Sequence, residues 1–230
     1  MDATKVLLLV GSPRGKGSTS FSMLSYLGDK MNAQNCEIET VMIHKALRST
    51  EGIQMCLDHI QDSDVIVLAA PLYVDSLPMP VIQMMEVIVD HRRRSTMDNR
   101  PLFVSIVNSG FPEAAHNLIA LDICRIFAKQ AHFEWGGGLP FGGGQAVNGT
   151  KLDEAGGRAR HVKPAIDILS KALAQRQATP IEAIERISKS IIPTRLYTMS
   201  GKRRWNAWAK RNGVLDQLAK RPYQTTSFAK

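Results

Sequence analysis

Residues 5–20, KVLLLVGSPRGKGSTS, constrain the fold of this chain more than any other stretch. A short run of β-forming residues ends at Gly11, and a turn rich in glycine, serine and basic residues follows. An apolar repeat with helical spacing then begins at Phe21. The first backbone N–H groups of a helix have no partners inside it, and the helix dipole favours an anion there. The stretch therefore predicts a strand, a turn and a helix start that hold a phosphate-bearing ligand.

The composition of the turn favours a phosphate monoester over a nucleoside triphosphate or a dinucleotide. The nucleoside-triphosphate loop GxxxxGK[ST] does not fit, because Lys16 is followed by Gly17. The dinucleotide fingerprint GxGxxG does not fit either, because Ser20 stands where its third glycine should be. An ordinary strand–helix turn without a ligand remains the alternative. The donors expected for a terminal phosphate are the hydroxyls of Ser12, Ser18, Thr19 and Ser20 and the cations Arg14 and Lys16.

Length and composition indicate a globular protein in a reducing compartment. The chain has 230 residues, of which 44% are hydrophobic and 22% charged, enough for one domain with a sizeable core. No signal peptide or membrane span is expected. Cys36, Cys56 and Cys124 are scattered, with no C-x-x-C spacing. We therefore expect no disulfide and no metal site, and a cytoplasmic location.

The net charge of +8 is concentrated at the C-terminus. Residues 195–230 hold nine Lys or Arg and one acid, Asp216, which leaves 20 basic and 20 acidic side chains in residues 1–194. The basic character therefore belongs to an appendage. We predict an α/β domain over residues 1–176 and a helical, basic extension over residues 177–230.

Strand and helix patterns alternate through the first 175 residues. Apolar strands that alternate with helices predict a parallel sheet covered on both faces. With right-handed crossovers this gives a three-layer α/β/α, doubly wound sheet of five strands. The predicted strands are 6–10, 37–43, 65–70, 102–107 and one beginning at 132–135, and the predicted helices are 21–31, 50–61, 78–89, 113–131 and 160–174.

Three loops follow apolar strands and should share the ligand-binding edge of such a sheet, beyond the carboxyl ends of its strands. They are residues 11–20, 71–80 and 108–116. Tyr73 offers a face for stacking, and residues 108–110 offer backbone amides to the edge of a ring. One phosphate turn with two loops suited to a flat polar ring indicates a flavin mononucleotide (FMN) site. Taken singly, Tyr73 could equally anchor its loop, and residues 110–112 could be only a turn.

The glycine-rich stretch WGGGLPFGGGQAVNG, residues 135–149, follows the fifth predicted strand and faces the same edge. It contains seven glycines after Trp135. Such a stretch indicates a mobile flap or a close approach of backbone to a partner, and a loop without function is equally compatible with it.

The three loop motifs resemble those of the NAD(P)H-dependent FMN reductases and iron–sulfur flavoproteins, which have the flavodoxin-like fold. The matching segments are GSPRGKGSTS (11–20), PLYVDSLP (71–78) and NSGFPEAAHN (108–117), within a resemblance that covers about residues 4–175. The cysteine cluster of the iron–sulfur members is missing. The resemblance implies phosphate contacts from Ser12, Arg14, Ser18, Thr19 and Ser20, ring contacts from Pro71, Leu72, Tyr73 and Val74, and contacts on the pyrimidine side from Asn108, Ser109, Gly110 and Phe111.

The resemblance also implies an activity. Hydride would pass from NADH or NADPH to N5 of FMN, and electrons would then pass to a small acceptor such as a quinone or a flavin. No side chain is required as acid or base, so no catalytic residue is named, and His116 alone of the six histidines is a candidate for lining the pocket. A homodimer is expected. The alternatives are a non-enzymatic electron carrier of flavodoxin type and an FMN-binding module whose tail docks elsewhere.

The C-terminal segment carries Trp205 and Trp208 at helical spacing among basic residues. The pattern favours a helix whose tryptophans pack on the domain or on a second subunit while the cations stay solvated. An anionic membrane surface is the first alternative, and a nucleic acid the less favoured one.

Overall fold

A computed structural model describes residues 3–94, 99–191 and 193–220, and it contains one sheet of five parallel strands in the order β2-β1-β3-β4-β5. Right-handed winding in this order places the strand-order reversal between β1 and β3. The prediction of a doubly wound α/β domain is confirmed. The strands are β1 (Lys5–Val10), β2 (Glu37–Met42), β3 (Val65–Pro71), β4 (Leu102–Asn108) and β5 (Glu134–Phe141).

Helices cover both faces of the sheet because its strands are apolar on both sides. Along β1, Leu8 belongs to one buried cluster and its neighbours Leu7 and Leu9 to the other. Helices α1, α7 and α8 contribute to the first cluster, and α3, α4 and α5 to the second. Their bounds are α1 (Thr19–Asn32), α2 (Ile43–Ala46), α3 (Thr50–Asp62), α4 (Met79–Arg94), α5 (Leu118–Gln130), α6 (Gly144–Val147), α7 (Val162–Ala174), α8 (Ile181–Ile187) and α9 (Thr194–Arg211).

The chain forms two compact units, Met1–Ile191 and Ile192–Lys230. The predicted extension begins at residue 177, whereas Ala183 and Ile187 of α8 are fully buried in the same cluster as α7. The second unit contains α9 and a short 3-10 turn, Leu215–Gln217. Its residues 221–230, which carry part of the predicted basic tail, lie outside the described residues. Within the described ranges, no helix is both long and apolar enough to cross a bilayer.

The fifth strand is longer than predicted and runs through the glycines. Strand β5 pairs with β4 along its length, with a register shift between Phe103 and Val104. Pairing overrides the low strand propensity of glycine here because neighbouring side chains occupy the space. A Cβ atom built on Gly136 would lie 2.8 Å from both Leu102 Cδ1 and Val104 Cγ2. The stretch 135–149, for which a mobile flap was one of three interpretations, is therefore a strand in its first half.

The helices at two places also differ from the prediction, and α4 ends at Arg94 instead of residue 89. The helix predicted over 113–131 is a 3-10 turn, Ala114–Asn117, followed by α5. The buried Asn117 side chain donates to the carbonyls of Ala114 and Phe141, which fixes this turn against the end of β5. A short unpredicted helix, α2, follows β2 directly. Both departures lie at the carboxyl edge of the sheet.

Candidate functional site

The turn after β1 places its donors beneath the start of α1. Ser18 is the N-cap residue of α1, because its Oγ accepts from the Phe21 amide at 3.1 Å. The same hydroxyl donates to the Gly15 carbonyl at 2.6 Å. The backbone amides of Thr19 and Ser20 donate to no acceptor within the described residues. Two unpaired N–H groups at a helix N-terminus are the donors that an anion requires.

The hydroxyls predicted to contact phosphate divide into two kinds. Ser12 is buried, and its Oγ is only a distant acceptor for the Arg14 amide, at 3.4 Å, so its proton is available. The Ser20 Oγ accepts from Asn108 Nδ2 at 2.9 Å and likewise retains its own proton. The Thr19 hydroxyl is already committed, because it donates to the Gly144 carbonyl at 2.7 Å. The hydroxyls of Ser18 and Thr19 therefore shape the turn. The Thr19 amide stays available as a donor, whereas the Ser18 amide is bonded to the Gly15 carbonyl at 3.2 Å.

Arg14 lies at the exposed rim of the turn. Its Nη2 donates to Asn148 Oδ1 at 2.9 Å, in a residue that follows α6. One bond of this kind leaves most of the guanidinium N–H groups available for a phosphate. The segment 142–149 thus contributes to orienting the cation of the turn.

The second loop contains a strained and exposed turn. Tyr73 and Ser76 pair across it, with amide–carbonyl distances of 2.8 and 3.1 Å. The two residues at its tip, Val74 and Asp75, have φ of 49° and 58°. Positive φ is unfavourable for a β-branched side chain, and such strain clusters at functional sites. The turn presents Val74, 99% exposed, and Tyr73, 47% exposed, to solvent.

Pro71 and Leu72 form the base of this loop. Pro71 is the last residue of β3, opposite Asn108 in the register of β3 and β4. The Leu72 amide donates to the Asn108 carbonyl at 2.8 Å. Both side chains are partly exposed at the carboxyl edge of the sheet. The loop therefore starts from a fixed point beside the third loop.

Asn108 connects all three loops. Its buried side-chain amide donates to Ser20 Oγ at 2.9 Å and to the Ala70 carbonyl at 3.0 Å. The first bond reaches the phosphate turn, and the second reaches the end of β3. The amide protons of Asn108 are thus engaged in holding the loops together, so Asn108 acts as a positioning residue.

The rest of the third loop offers backbone donors and an aromatic ring. The Ser109 amide is paired with the Phe141 carbonyl at 3.0 Å. The amides of Gly110 and Phe111 have no acceptor in the described part of the chain. The Phe111 side chain is 52% exposed, and its ring centroid lies 4.8 Å from that of His116, which in turn faces Glu113. The loop therefore presents two amides and one apolar face.

The glycine-rich segment 142–149 joins the first loop to the third. The amides of Gly143 and Gly144 donate to the carbonyls of Phe111 and Ser109 at 2.6 and 2.7 Å. At its other end, a Cβ atom built on Gly149 would lie 2.5 Å from the Gly17 carbonyl oxygen, so only glycine fits. Close backbone approach is thus the role of these glycines. The abundance of glycine was the signal in the sequence, but it did not identify the partner.

Sequence reasoning missed His44, which lies on α2 beside the phosphate turn. A Cβ atom built on Gly15 would lie 3.3 Å from His44 Cε1 and 3.7 Å from Nε2. The approach could not be read from the linear sequence, because it depends on β2 lying next to β1 in the sheet.

The donor set fits FMN. Unpaired amides, a free serine hydroxyl and an arginine belong to one turn, and a phosphate monoester with three oxygens requires several such donors. The unpaired amides of the third loop suit the polar edge of a flavin ring, and the exposed Tyr73, Val74 and Phe111 suit its planar body. Both regions lie at the carboxyl edge of one sheet, where doubly wound proteins bind nucleotides.

Comparison with known proteins identifies the family. Residues 4–121 match the family model described as NADPH-dependent FMN reductase. A search of the curated proteins finds no match. Among solved structures, the general stress protein 14 of Treponema denticola, in complex with FMN, aligns with a TM-score of 0.51 at 15% identity, over 72% of this chain and 99% of that one.

Two further structures show the same fold. An FMN-dependent NADH-azoreductase from Bacillus anthracis, in complex with FMN, aligns with a TM-score of 0.51 at 11% identity, over 74% of this chain and 99% of the other. A flavone reductase aligns with a TM-score of 0.54 at 13% identity, over 76% of this chain and 66% of its own length. At such identities the likeness establishes the flavodoxin-like fold. The family match covers just over half of the sequence, and the chain belongs to the NADPH-dependent FMN reductase family.

Proposed function

We propose that the chain is a reductase that takes electrons from NADPH or NADH through FMN held by the three loops and delivers them to a small acceptor such as a quinone or a flavin. Family membership supplies the enzyme class, an FMN-dependent NAD(P)H oxidoreductase. The observation that best supports an FMN site is that the first and third loops both present unpaired backbone amides at the same edge of the sheet.

The first loop is proposed to hold the phosphate. The amides of Thr19 and Ser20, the hydroxyl of Ser12 and the guanidinium of Arg14 would donate to its oxygens. Ser18 caps the helix, and both its amide and its hydroxyl are bonded to the Gly15 carbonyl, so it would shape the turn rather than contact the anion. The Thr19 hydroxyl fixes the turn to Gly144, so Thr19 would act on the anion through its backbone amide. The five residues predicted for the phosphate site are therefore all retained in the proposal, and each has its own role there.

The second and third loops are proposed to hold the ring. Pro71, Leu72, Tyr73 and Val74 would contact its face, and Ser109, Gly110 and Phe111 its pyrimidine side. FMN, when bound, supplies hydride acceptance at N5 and electron delivery to a second substrate. The unpaired amides of Gly110 and Phe111 would stabilise negative charge at the pyrimidine edge.

The side chains beside the flavin ring would bind and orient the ring and the substrate. None of them is needed to transfer a proton. Tyr73 and Phe111 are each about half exposed, so their rings can contact a planar substrate that lies over the flavin. Bound substrate would exclude water from this apolar surface. His116 contacts Phe111 and faces Glu113, which supports a role in setting the position of that ring.

One experiment separates the reductase from its alternatives. The purified protein is examined by absorbance, and NADPH and NADH are then added without oxygen. We expect flavin bands that bleach within seconds. Bands that persist with both nucleotides would indicate an electron carrier or a binding module, and the absence of flavin binding would remove the site altogether.

A homodimer is proposed on the basis of an apolar groove between α4 and α5. Its cavity of about 630 Å³ is lined by Ile82, Met85, Val89, Ile123, Ile126 and Phe127, with charged residues at its edge. A second copy of the chain is the proposed occupant, and light scattering after gel filtration measures it. A monomeric mass at micromolar concentration would contradict the proposal.

A further inference from the structure

His44 is placed against the phosphate turn by the sheet order. Strand β2 lies next to β1, and His44 follows the end of β2 by two residues, at the edge where the turn begins. The Cε1–Nε2 side of its ring faces Gly15, because these two atoms are the ones that would lie 3.3 and 3.7 Å from a Cβ atom built on that glycine. Gly15 has φ of 56°, a conformation that few other residues adopt. The turn therefore curves toward the ring without a side chain between them.

The other side of the ring is buried and has no partner. Nδ1 is inaccessible to solvent and makes no hydrogen bond to the described residues. Burial, with the nearby cations Arg48 and Lys45, lowers the pKa of His44, so the imidazole is neutral near pH 7. A neutral imidazole carries its proton on one nitrogen only. A buried N–H without an acceptor is the costlier arrangement, which favours the proton on Nε2.

The hydrogen-bond donor of His44 therefore lies on the side of the ring that faces the turn. We propose that His44 donates from Nε2 to the phosphate of the flavin and so contributes to the selection of FMN over riboflavin. The inference rests on the proposed function, because it assumes that the turn holds the flavin phosphate. It adds a donor from α2 to a set that otherwise comes from the first loop.

The neighbouring cations support the same role. Lys45 and Arg48 flank His44 on the same segment, and both are exposed. They contribute positive potential at this side of the turn, and because their side chains are exposed they do not occupy the space that an anion would need. A carboxylate in place of His44 would weaken that potential, and an acidic residue at this place suits the ribose hydroxyl of a dinucleotide site. The residues at the end of β2 thus suit an anion.

Flavin titration of three apoprotein variants tests the proposal, with FMN and riboflavin as the probes. His44→Phe keeps a ring of similar size and removes both nitrogens. His44→Gln keeps a donor near the position of Nε2. His59→Gln is the matched control, because His59 lies on α3 and contributes no atom to the turn. Binding is read from flavin fluorescence, and the melting temperature of each apoprotein reports its folding.

We expect His44→Phe to weaken FMN about tenfold and to leave riboflavin unchanged, since a hydrogen bond to a charged group is at stake. We expect His44→Gln to recover part of the loss and His59→Gln to match the wild type. Equal loss for both flavins would assign the ring a structural role only and overturn the proposal. Unchanged FMN affinity in His44→Phe would also overturn it, while leaving the proposed function intact. Failure of the wild type to bind FMN would overturn both.

Discussion

The two compact units of the chain differ in charge and in packing. Residues 1–194 carry equal numbers of basic and acidic side chains, whereas residues 195–230 hold nine basic residues and one acid. The first unit has a buried cluster on each face of its sheet. In α9 of the second unit Ala209 is the buried residue, and Trp205 and Trp208 are 66% and 52% exposed. The net charge of the protein therefore reports on the second unit and gives no information about the flavin site in the first.

The second unit has its own internal order. The rings of Trp205 and Trp208 meet edge to face, with centroids 6.1 Å apart, and the Arg204 guanidinium lies 5.4 Å from the Trp208 ring. These contacts hold the aromatic pair in place, with cations beside it. They occupy only part of each indole surface. The packing of these tryptophans on the domain or on a second subunit stays a prediction.

The largest expected effect concerns Asn108, whose side chain connects the loops of the first unit. Asn108→Leu would remove the side-chain bonds to Ser20 Oγ and to the Ala70 carbonyl and would place an apolar side chain against these buried polar groups. We expect a loss of about 3 kcal/mol in the free energy of unfolding, measured by urea titration. Asn32→Leu, at the exposed end of α1, is the control and should change little. If deletion of residues 195–230 altered the size of the Asn108 effect, the two units would not be independent.

The next largest effect concerns Arg14, the arginine of the turn after β1. Arg14→Ala should weaken FMN binding by about 1.5–3 kcal/mol, the range for a hydrogen bond to a charged group. Riboflavin should bind the wild type far more weakly than FMN, and it should not respond to Arg14→Ala. Arg125→Ala, on the exposed surface of α5, removes an equal charge and should leave both affinities unchanged. Unchanged FMN affinity in Arg14→Ala would take Arg14 out of the site, and an effect of Arg125 would mean that overall charge matters after all.

A smaller effect of opposite sign is expected at Val74. Val74→Gly removes the cost of positive φ at a β-branched residue and should stabilise the apoprotein by about 1 kcal/mol. Val87→Gly, within α4, should destabilise it by more than that amount, because glycine is unfavourable inside a helix and the Val87 side chain packs against the core. Denaturant unfolding of both variants measures whether each one raises or lowers the free energy of unfolding. A destabilised Val74→Gly would show that the turn is not strained.

The smallest expected effect is that of the second unit on stability. If Trp205 and Trp208 pack on the domain or on a second subunit, deletion of residues 195–230 should lower the melting temperature by about 2–4 °C for each kcal/mol of packing lost. An unchanged midpoint would contradict packing. Binding of the full chain to anionic vesicles or to nucleic acid, weakened by salt and lost on truncation, would then identify the alternative.

The sequence predicted the fold because its strands are continuous apolar runs separated by helical repeats. Family and cofactor followed from three loop motifs, and both predictions are confirmed by the family match. Strand β5 was cut short because glycine argues locally against a strand, and only pairing with β4 reverses that preference. His44 was missed because its approach to Gly15 joins residues that are distant in sequence. The thirteen predicted contact residues stay a prediction until flavin binding is measured.

Within the site, the hydrogen bonds give two side chains positioning roles that the sequence did not indicate. Asn108 was predicted to face the ring, yet its amide protons hold Ser20 and the end of β3. The Thr19 hydroxyl was predicted to face phosphate, yet it donates to Gly144. Both side chains are short and polar and lie at the expected edge. Which neighbour each one contacts is decided by the packing of segments that are far apart in the chain.

The contacts of segment 142–149 have a consequence for the thermodynamics of binding. The Thr19–Gly144 bond and the close approach of Gly149 to Gly17 hold the phosphate turn from one side before any ligand is present. A turn already fixed in this way loses little conformational entropy when an anion enters, so more of the hydrogen-bond energy is expressed as affinity. Lengthening this segment by a few residues should therefore weaken flavin binding through entropy, with every contacting residue still in the sequence.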